Sequence, residues 1–274
     1  MDSNKREQFL EQIGQYTKED IAVAFSGGAD SSLLLKAACE SAKKNGSKVY
    51  AVTMQTRLHT MEDLETAQKV AKETGACHIV LHVDELEEAG IEMNPTDRCY
   101  LCKRLLFSRL RDKAAELGVH TILEGTNADD LKVYRPGIKA VRELGIISPL
   151  ADAGLTKEDV RELAASYGIS VADRPASPCM ATRFPYGTRL TREKMEAVHQ
   201  GEVFLRTLGF YNVRLRVQED LARIEVDADS LEDILKHREE IIKFLKGLGY
   251  RYVTLDLEGF RSGSMDDELV REGL

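Results

Sequence analysis

The chain has 274 residues, enough for a sizeable core and for two domains. Its 43% hydrophobic and 31% charged residues are typical of a soluble globular protein, and its apolar runs are too short to span a membrane. The formal net charge of −8 argues against a broad nucleic-acid surface, and five cysteines, an odd number, argue against a secreted disulfide framework. Because the N-terminus also lacks a signal-peptide core, we expect a cytoplasmic protein.

Short apolar segments alternate with amphipathic segments between residue 21 and about residue 171. The pattern predicts strands at 21–25, 48–54, 78–82, 121–124 and 169–172. It predicts helices at 5–15, 31–44, 61–74, 103–117 and 156–167, the last with Thr156 as its N-cap. Strands that alternate with helices indicate an α/β fold, in which a parallel sheet carries helices on both faces.

A turn rich in glycine and serine joins the first predicted strand to the next helix. It consists of Ser26, Gly27, Gly28, Ala29, Asp30, Ser31 and Ser32. In this geometry backbone N–H groups converge on phosphate oxygens, and glycines allow the main chain to come close. Asp30 would repel a bare phosphate, so we expect it to hold Mg²⁺ against a pyrophosphate. The turn lacks the Walker ending and the dinucleotide spacing; it is typical of a PP-loop, the signature of enzymes that split ATP between the α and β phosphates.

A second turn of small and acidic residues follows the predicted strand 121–124. We expect Gly125, Thr126 and Asp129 to lie against the nucleotide, with Asp129 or Asp130 sharing Mg²⁺ with Asp30. Alone, this turn is equally consistent with a solvated loop. Because ligands of parallel sheets bind beyond the carboxyl ends of the strands, both turns are predicted to meet there.

Three cysteines are candidates for chemistry. Cys99 and Cys102 form a CxxC motif, and Cys179 lies in a proline-rich segment at 173–190. Three thiolates can hold a [4Fe–4S] cluster and leave one iron open. Zinc would need a fourth ligand, whereas a redox CxxC with Cys179 as persulfide carrier is another interpretation. The remaining cysteines are predicted to be buried small hydrophobic residues: Cys39 and Cys77.

Residues 191–274 show a second, smaller α+β pattern. Its predicted elements are helix 191–207, strand 212–217, strand 221–227, helix 230–246 and strand 251–257. We therefore divide the chain into a domain at 1–172, a linker loop at 173–190 that carries Cys179, and a C-terminal α+β domain at 191–274. The tail from Ser262 is polar and acidic.

Two arginines alternate within the predicted strand 212–217. Arg214 and Arg216 therefore point from one face of the sheet, as a pair able to bind a phosphate or carboxylate. Charges of both signs follow in the next strand, so a solvated face with cross-strand ion pairs is the alternative. Spacing alone favours that alternative.

Taken together, these residues resemble the LarE-type ATP-dependent sacrificial sulfur transferases over nearly the whole chain. The likeness rests on Ser26, Asp30 and Ser32, on 125–130, on 174–179 and on the Arg214/Arg216 strand. It implies adenylation of a carboxylate of a pyridinium dicarboxylate mononucleotide during maturation of the nickel-pincer cofactor of lactate racemase. It also implies that Cys179 displaces AMP to form a thioester and then gives up its sulfur, leaving dehydroalanine.

The resemblance implies further residues and partners. Its substrate-binding residues match Glu202, Arg214, Arg216, Glu225 and Asp233. Cys99 and Cys102 depart from the single-cysteine form and resemble a three-cysteine subtype, in which three thiolates carry a [4Fe–4S] cluster. Sulfur would then come from a sulfide on the open iron, supplied as sulfide or by a sulfur-delivery protein. The resemblance further implies a homo-oligomer, often a hexamer, with domain 1–172 binding ATP and domain 191–274 serving substrate binding and oligomerisation.

Three other functions are consistent with a PP-loop. A tRNA thiolase would need a basic surface, which this acidic chain does not obviously show. An amide ligase of the NAD synthetase kind has no use for three cysteines. A module that binds ATP without splitting it would release no pyrophosphate. We predict a PP-loop enzyme that uses ATP, Mg²⁺ and a [4Fe–4S] cluster on Cys99, Cys102 and Cys179.

Overall fold

The computed structural model describes residues 3–133, 135–174 and 178–261. The described residues divide into two compact units, one formed by those within 3–91 and 97–174 and the other by 92–96 with 178–261. Two predictions from the sequence, the proline segment at 175–177 and the acidic tail from residue 262, lie outside the described residues. The functional assignment of 1–172, 173–190 and 191–274 stays a prediction.

The first unit is built on a four-stranded parallel sheet in the order β3-β2-β1-β4. Its strands are β1 (Ile21–Ala24), β2 (Val49–Gln55), β3 (Cys77–His82) and β4 (Thr121–Leu123). Strand β1 lies between β2 and β4, with Ile21 opposite both Val49 and Thr121. The turn after β1 therefore opens near the middle of the carboxyl edge of the sheet, where parallel sheets bind ligands.

Helices cover both faces of this sheet, as the sequence predicts. They are α1 (Ser3–Tyr16), α2 (Ala29–Asn45), α3 (Met61–Thr74), α4 (Glu85–Glu88), α5 (Arg98–Glu116), α6 (Gly137–Glu143), α7 (Pro149–Asp152) and α8 (Lys157–Ser166). Ile21 and Val23 of β1 pack with α1, α2 and α8, whereas Ala22 packs with α5 and α6 on the other face. The predicted cap of α8 is confirmed: Thr156 and Asp159 form a capping box, a kind of contact worth about 1 kcal/mol.

Three expectations for this unit are wrong. Residues 169–172 form turns instead of a strand, because Ile169 and Val171 bury their side chains from a turn in which the Ala172 N–H donates to the Ile169 carbonyl at 3.1 Å. The position beyond β4 is taken instead by Ile147, through a single parallel bridge to Leu123. Cys77 is exposed on the edge strand β3, whereas Cys39 is buried as predicted. Helix α5 begins at Arg98, five residues before the predicted start.

The second unit carries a three-stranded sheet in the order β5-β6-β7. Strands β5 (Val213–Gln218) and β6 (Leu221–Val226) are antiparallel, while β7 (Tyr252–Leu255) is parallel to β6. Its helices are α9 (Arg192–Thr207), α10 (Leu231–Lys236) and α11 (Arg238–Gly247). The single helix predicted at 230–246 is thus two helices that meet at His237.

Helix α9 packs on one face of the second sheet at a glycine. A Cβ on Gly201 would lie 2.6 Å from the end of the Leu215 side chain, so the leucine would have to shift to admit any other residue. Leu215 therefore faces α9, and its neighbours Arg214 and Arg216 point to the opposite face, because side chains alternate along a strand. No helix in the described part of the chain is long and apolar enough to cross a membrane.

Candidate functional site

The serine and glycine turn after β1 is held by its own side chains. The Ser31 hydroxyl donates to the Gly28 carbonyl at 3.2 Å, lies 3.2 Å from the Ser26 hydroxyl and accepts from the Ser26 N–H at 3.3 Å. Helix α2 follows immediately, and its N-cap, Gly28, offers no side-chain cap. The first N–H groups of α2 are therefore directed at a site that favours an anion such as a phosphate.

Glycines bring this turn into contact with its surroundings. Gly27 has φ +74, and a Cβ there would lie 2.9 Å from the backbone of Ala67. Gly125, in the second predicted turn, approaches so closely that its Cβ would lie 3.0 Å from the Ser31 nitrogen. The two turns that the sequence places at the carboxyl edge of the sheet are thus in direct contact, and a side chain at Gly125 would require the first turn to shift.

Asp30 meets the second turn through Asn127. The Asn127 amide donates to the Asp30 carboxylate at 2.8 Å, and its carbonyl oxygen accepts from the N–H groups of Asp129 and Asp130 at 3.0 and 3.1 Å. Burial raises the pKa of Asp30, and the negative charge of Asp130 raises it further, although the bond from Asn127 opposes the shift. A cation beside Asp30 and Asp130 would relieve this cost.

Asn127 is not predicted from the sequence, because an amide between small residues carries no charge signal. The Asp129 carboxylate has other partners: it accepts from the Lys157 N–H at 2.9 Å and pairs with Lys132 at 2.8 Å. The Thr126 N–H and hydroxyl donate to buried Glu124 at 3.0 and 2.9 Å. The carboxylates of Asp30 and Asp130 meet around Asn127, and that of Asp130 also pairs with Arg135 at 3.0 Å and with Lys157 at 3.4 Å. Asp30 fits Mg²⁺, which takes one or two carboxylates together with substrate phosphates.

Cys99 and Cys102 lie half-buried at the start of α5, one helical turn apart, so they share a face of the helix. The Arg98 guanidinium donates to the Cys99 sulfur at 3.4 Å. Cys179 is also half-buried and belongs to the second unit. Across residues 3–133, 135–174 and 178–261, no three His, Cys, Asp or Glu side chains form a set that could hold one metal ion. Cys99 and Cys102 thus belong to the first unit and Cys179 to the second.

A buried ion pair braces the segment that follows Cys179. Arg183 lies in the 3-10 helix Met180–Arg183, and its Nε and Nη2 donate to the two carboxylate oxygens of Glu202 on α9, both at 2.9 Å. The Leu215 N–H of β5 also donates to Glu202, at 3.1 Å. Arg183 is 3% exposed and Glu202 is 1% exposed, so both charges depend on these partners. These contacts keep the pKa of Glu202 below its usual value despite burial.

The predicted arginine pair lies in the same unit. Arg216 donates through Nε to both oxygens of buried Glu225, at 3.0 and 3.1 Å, and through Nη1 to the Thr182 carbonyl. Arg214 is almost buried, with its guanidinium carbon 5.0 Å from the ring centre of Phe260. Burial, and then the nearby charge of Arg183, lowers the pKa of Arg214 to about 10. The structure thus connects four of the five residues that the resemblance implies for substrate binding.

The fifth of these residues, Asp233, lies apart from that group. It is exposed on α10 and pairs with Lys236 in the next turn. Arg183 is not predicted from the sequence, because a buried pair 19 residues apart has no local signature. Cross-strand ion pairing, the alternative weighed for the arginine strand, is present at Arg216 and Glu225.

A family model described as a PP-loop domain matches residues 1–136. The pyridinium-3,5-bisthiocarboxylic acid mononucleotide synthase of Lactiplantibacillus plantarum is 41% identical over 254 residues, which cover 93% of this chain and 91% of that protein. An uncharacterized protein of Synechocystis sp. is 38% identical over 269 residues, 97% of this chain and 99% of the relative. A tRNA-specific 2-thiouridylase of Rickettsia bellii is 26% identical over 231 residues, 69% of this chain and 61% of that protein.

Proposed function

The chain belongs to the LarE-type family of ATP-dependent sulfur transferases, and on this premise we propose how its residues carry out the reaction. The proposed substrate is a pyridinium dicarboxylate mononucleotide, one carboxylate of which is adenylated by ATP and then converted to a thiocarboxylate. The name of the Lactiplantibacillus relative gives a bisthiocarboxylic acid mononucleotide as its product, and the proposed substrate is the matching dicarboxylate. The reaction belongs to the biosynthesis of the nickel-pincer nucleotide cofactor.

The first unit is proposed to bind ATP. The N–H groups at the start of α2 receive a phosphate, and Asp30, with Asp130, holds the Mg²⁺ that neutralises the departing pyrophosphate. The two turns that contact each other supply the other proposed ATP-binding residues, which are Ser26, Gly27, Gly28, Ser31, Ser32, Gly125 and Thr126. Asp129 is retained as a candidate. Asn127 positions Asp30, since its amide donates directly to that carboxylate.

The second unit is proposed to bind the acceptor. Arg214 and Arg216 offer guanidinium groups for its phosphate, and Glu202, Glu225 and Asp233 complete the proposed substrate-binding set. The observation that carries this assignment is the turn after Cys179. Arg183 donates to the Cys179 carbonyl at 3.3 Å, and Arg216 donates to the carbonyl of Thr182. The proposed nucleophile and the proposed phosphate-binding arginine are therefore fixed to one short segment.

The Cys179 thiolate is proposed to attack the adenylated carboxylate and displace AMP, giving a thioester. A thiolate does this without a strong base at neutral pH. The final sulfur comes from Cys179 itself or from a sulfide on a [4Fe–4S] cluster held by Cys99, Cys102 and Cys179. These three thiolates would hold the cluster, and its open iron would carry the sulfide. A homo-oligomer and a sulfur-delivery protein remain parts of the proposal.

The test is to measure iron, acid-labile sulfide, zinc and chain mass in anaerobically purified protein, before and after one turnover with ATP and the dicarboxylate substrate. Cys99→Ala, Cys102→Ala and Cys179→Ala are compared with Cys77→Ala, a control at an exposed cysteine of β3. Loss of sulfur from Cys179, without iron, supports the sacrificial route. About four irons per chain, lost in each of the three variants but not in the control, support the cluster route.

Two results would contradict the proposal. Unchanged sulfur transfer in Cys179→Ala would remove the proposed nucleophile. Absence of pyrophosphate release with the dicarboxylate substrate would remove the adenylation step.

A tRNA thiolase is the alternative that one observation favours, namely the similarity to the 2-thiouridylase. It would require RNA to be retained at low salt and released as salt rises, because phosphate contacts release counterions. The net charge of −8 argues against it. Retention of tRNA with a steep salt dependence would make this the better assignment.

A further inference from the structure

The backbone carbonyl of Cys179 accepts hydrogen bonds from three donors. The Thr182 N–H donates at 3.1 Å, the Thr182 hydroxyl at 2.9 Å and Nη1 of Arg183 at 3.3 Å. The first of these bonds closes the 3-10 turn and would be present in any such turn. The other two come from side chains, and one of them is cationic. This oxygen therefore lies in a more electropositive environment than an ordinary turn carbonyl, which has two lone pairs to satisfy.

These donors are held in place by buried partners. Nε and Nη2 of Arg183 are occupied by Glu202, which leaves Nη1 to donate to the carbonyls of Pro178 and Cys179 at 2.8 and 3.3 Å. Arg216 donates to the Thr182 carbonyl and so fixes the residue whose hydroxyl meets Cys179. Donors that are fixed before a charge develops stabilise it without a cost of reorganisation.

A cysteine that gives up its sulfur needs such a charge to be stabilised. In the thioester route, the Cβ–S bond of Cys179 must break. The Cα–H bond breaks first or at the same time, its proton goes to solvent, and its electron pair forms the Cα=Cβ double bond. The thiocarboxylate leaves with the electron pair of the C–S bond, so no redox partner is needed. During this elimination negative charge develops on the carbonyl oxygen next to Cα.

We propose that Thr182 and Arg183 form an oxyanion hole on the protein's own backbone, which stabilises the enolate-like transition state in which Cys179 loses its sulfur. The proposal rests on the proposed function in the form where the sulfur comes from Cys179. It assigns to Arg183 and Glu202 a role beyond folding: Arg183 touches the oxygen that gains charge, and Glu202 positions Arg183. It also predicts that elimination at Cys179 is favoured by the folded protein whichever leaving group is on the sulfur.

That last point allows a test that is independent of ATP and substrate. A bis-alkylating dibromide converts cysteine sulfur into a cyclic sulfonium, which leaves by the same elimination. The first-order conversion of the sulfonium to dehydroalanine is followed by peptide mass spectrometry at Cys179 and at exposed Cys77, which serves as internal reference. We expect Cys179 to eliminate about 10-fold or more faster than Cys77, and the two rates to become equal in denaturant. Equal rates in the folded protein would overturn the proposal.

Two variants identify the donor. Thr182→Val removes the hydroxyl and keeps the backbone N–H, and we expect elimination at Cys179 to slow by about 10-fold or more. Thr182→Ser keeps a hydroxyl and should restore the rate of the unmodified protein. Equal rates in all three proteins would overturn the assignment of Thr182. If Thr182→Val does not fold, the comparison of Cys179 with Cys77 in the unmodified protein still decides the proposal.

The enzymatic reaction separates this inference from the proposed function. With ATP and the dicarboxylate substrate, Thr182→Val should accumulate a covalent adduct on Cys179, seen as a gain in chain mass, whereas the unmodified protein proceeds to loss of sulfur. If no protein forms an adduct or loses sulfur, the proposed function fails, while the sulfonium experiment still reports on the oxyanion hole. If Thr182→Val loses sulfur as fast as the unmodified protein, the hydroxyl has no role in the elimination.

Discussion

The candidate sites of the two units consist of different chemical groups. In the first unit, the turns after β1 and β4 offer backbone N–H groups, hydroxyls and one carboxylate pair, and glycines set their spacing. In the second unit, the segment after Cys179 is held by guanidinium groups paired with buried glutamates. A site made of backbone depends on local conformation, whereas a site made of buried charges depends on residues far apart in the sequence. The two sites should therefore fail in different ways when single residues are changed.

The largest effect on stability is expected in the second unit. Glu202→Ala leaves Arg183 buried without its carboxylate partner, which typically destabilises a protein by about 3–5 kcal/mol. Arg206 also pairs with Glu202 but is 38% exposed, so Arg206→Ala is the matched control, with an expected loss of about 0–1 kcal/mol. Urea unfolding measures both. Similar losses for the two variants would mean that the buried pair is not what holds this segment.

The largest effect on ATP chemistry is expected in the first unit. Asp30→Asn removes the negative charge proposed to hold Mg²⁺ and keeps the shape of the side chain. Because a metal ion supplies several kcal/mol of charge stabilisation, we expect pyrophosphate release to fall by about 100-fold or more.

Asp129→Asn is the matched control for this change, since the Asp129 carboxylate is engaged by Lys132 and by the N–H of Lys157. Pyrophosphate release should fall much less in this variant. A larger loss in Asp129→Asn than in Asp30→Asn would move the proposed Mg²⁺ site to Asp129.

The difference between the units also explains what the sequence could predict. The PP-loop turn, the parallel sheet and the contact of the two turns follow from local patterns, because glycine, serine and apolar periodicity act over a few residues. Arg183 and Glu202 could not be paired from the sequence, since two of many charged residues meet only after α9 packs on β5. The strand predicted at 169–172 is wrong for another reason. Hydrophobic periodicity detects burial, and buried side chains also occur in turns.

A smaller effect compares two glycines of the first unit. Gly27 and Gly46 have nearly equal φ of +74 and +77, but a Cβ on Gly46 meets nothing within 4 Å. Gly46→Ala should therefore lower the free energy of unfolding only by the strain of alanine in the left-handed conformation, about 1–2 kcal/mol. Gly27→Ala adds a clash with the Ala67 backbone at 2.9 Å, so it should cost about 1–3 kcal/mol more and weaken ATP binding. Equal losses in unfolding free energy would show that the turn can move away from α3.

The smallest effect is a dependence of stability on pH, and its sign differs between two aspartates. Burial raises the pKa of Asp30, so the folded state favours its neutral form. Stability from that form is present below the ordinary aspartate pKa and is lost as pH rises through the raised value. In the absence of ATP and Mg²⁺, Asp30→Asn should therefore melt at a higher temperature than the unmodified protein at pH 7, and the gain should shrink as pH falls towards the ordinary aspartate range.

Asp129 should behave in the opposite way. Lys132, and then the Lys157 N–H, lower its pKa, so its contribution is present above the ordinary aspartate pKa and is lost as pH falls through the lowered value. Asp129→Asn should accordingly melt below the unmodified protein at pH 7, and this difference should vanish in acid.

The ligands allow a further comparison at Asp30. If Mg²⁺ and ATP offset the cost of the buried charge on Asp30, the unmodified protein should melt at a higher temperature than Asp30→Asn when both ligands are added. A gain that persists with saturating Mg²⁺ and ATP would mean that the raised pKa of Asp30 reflects burial without a metal-binding role.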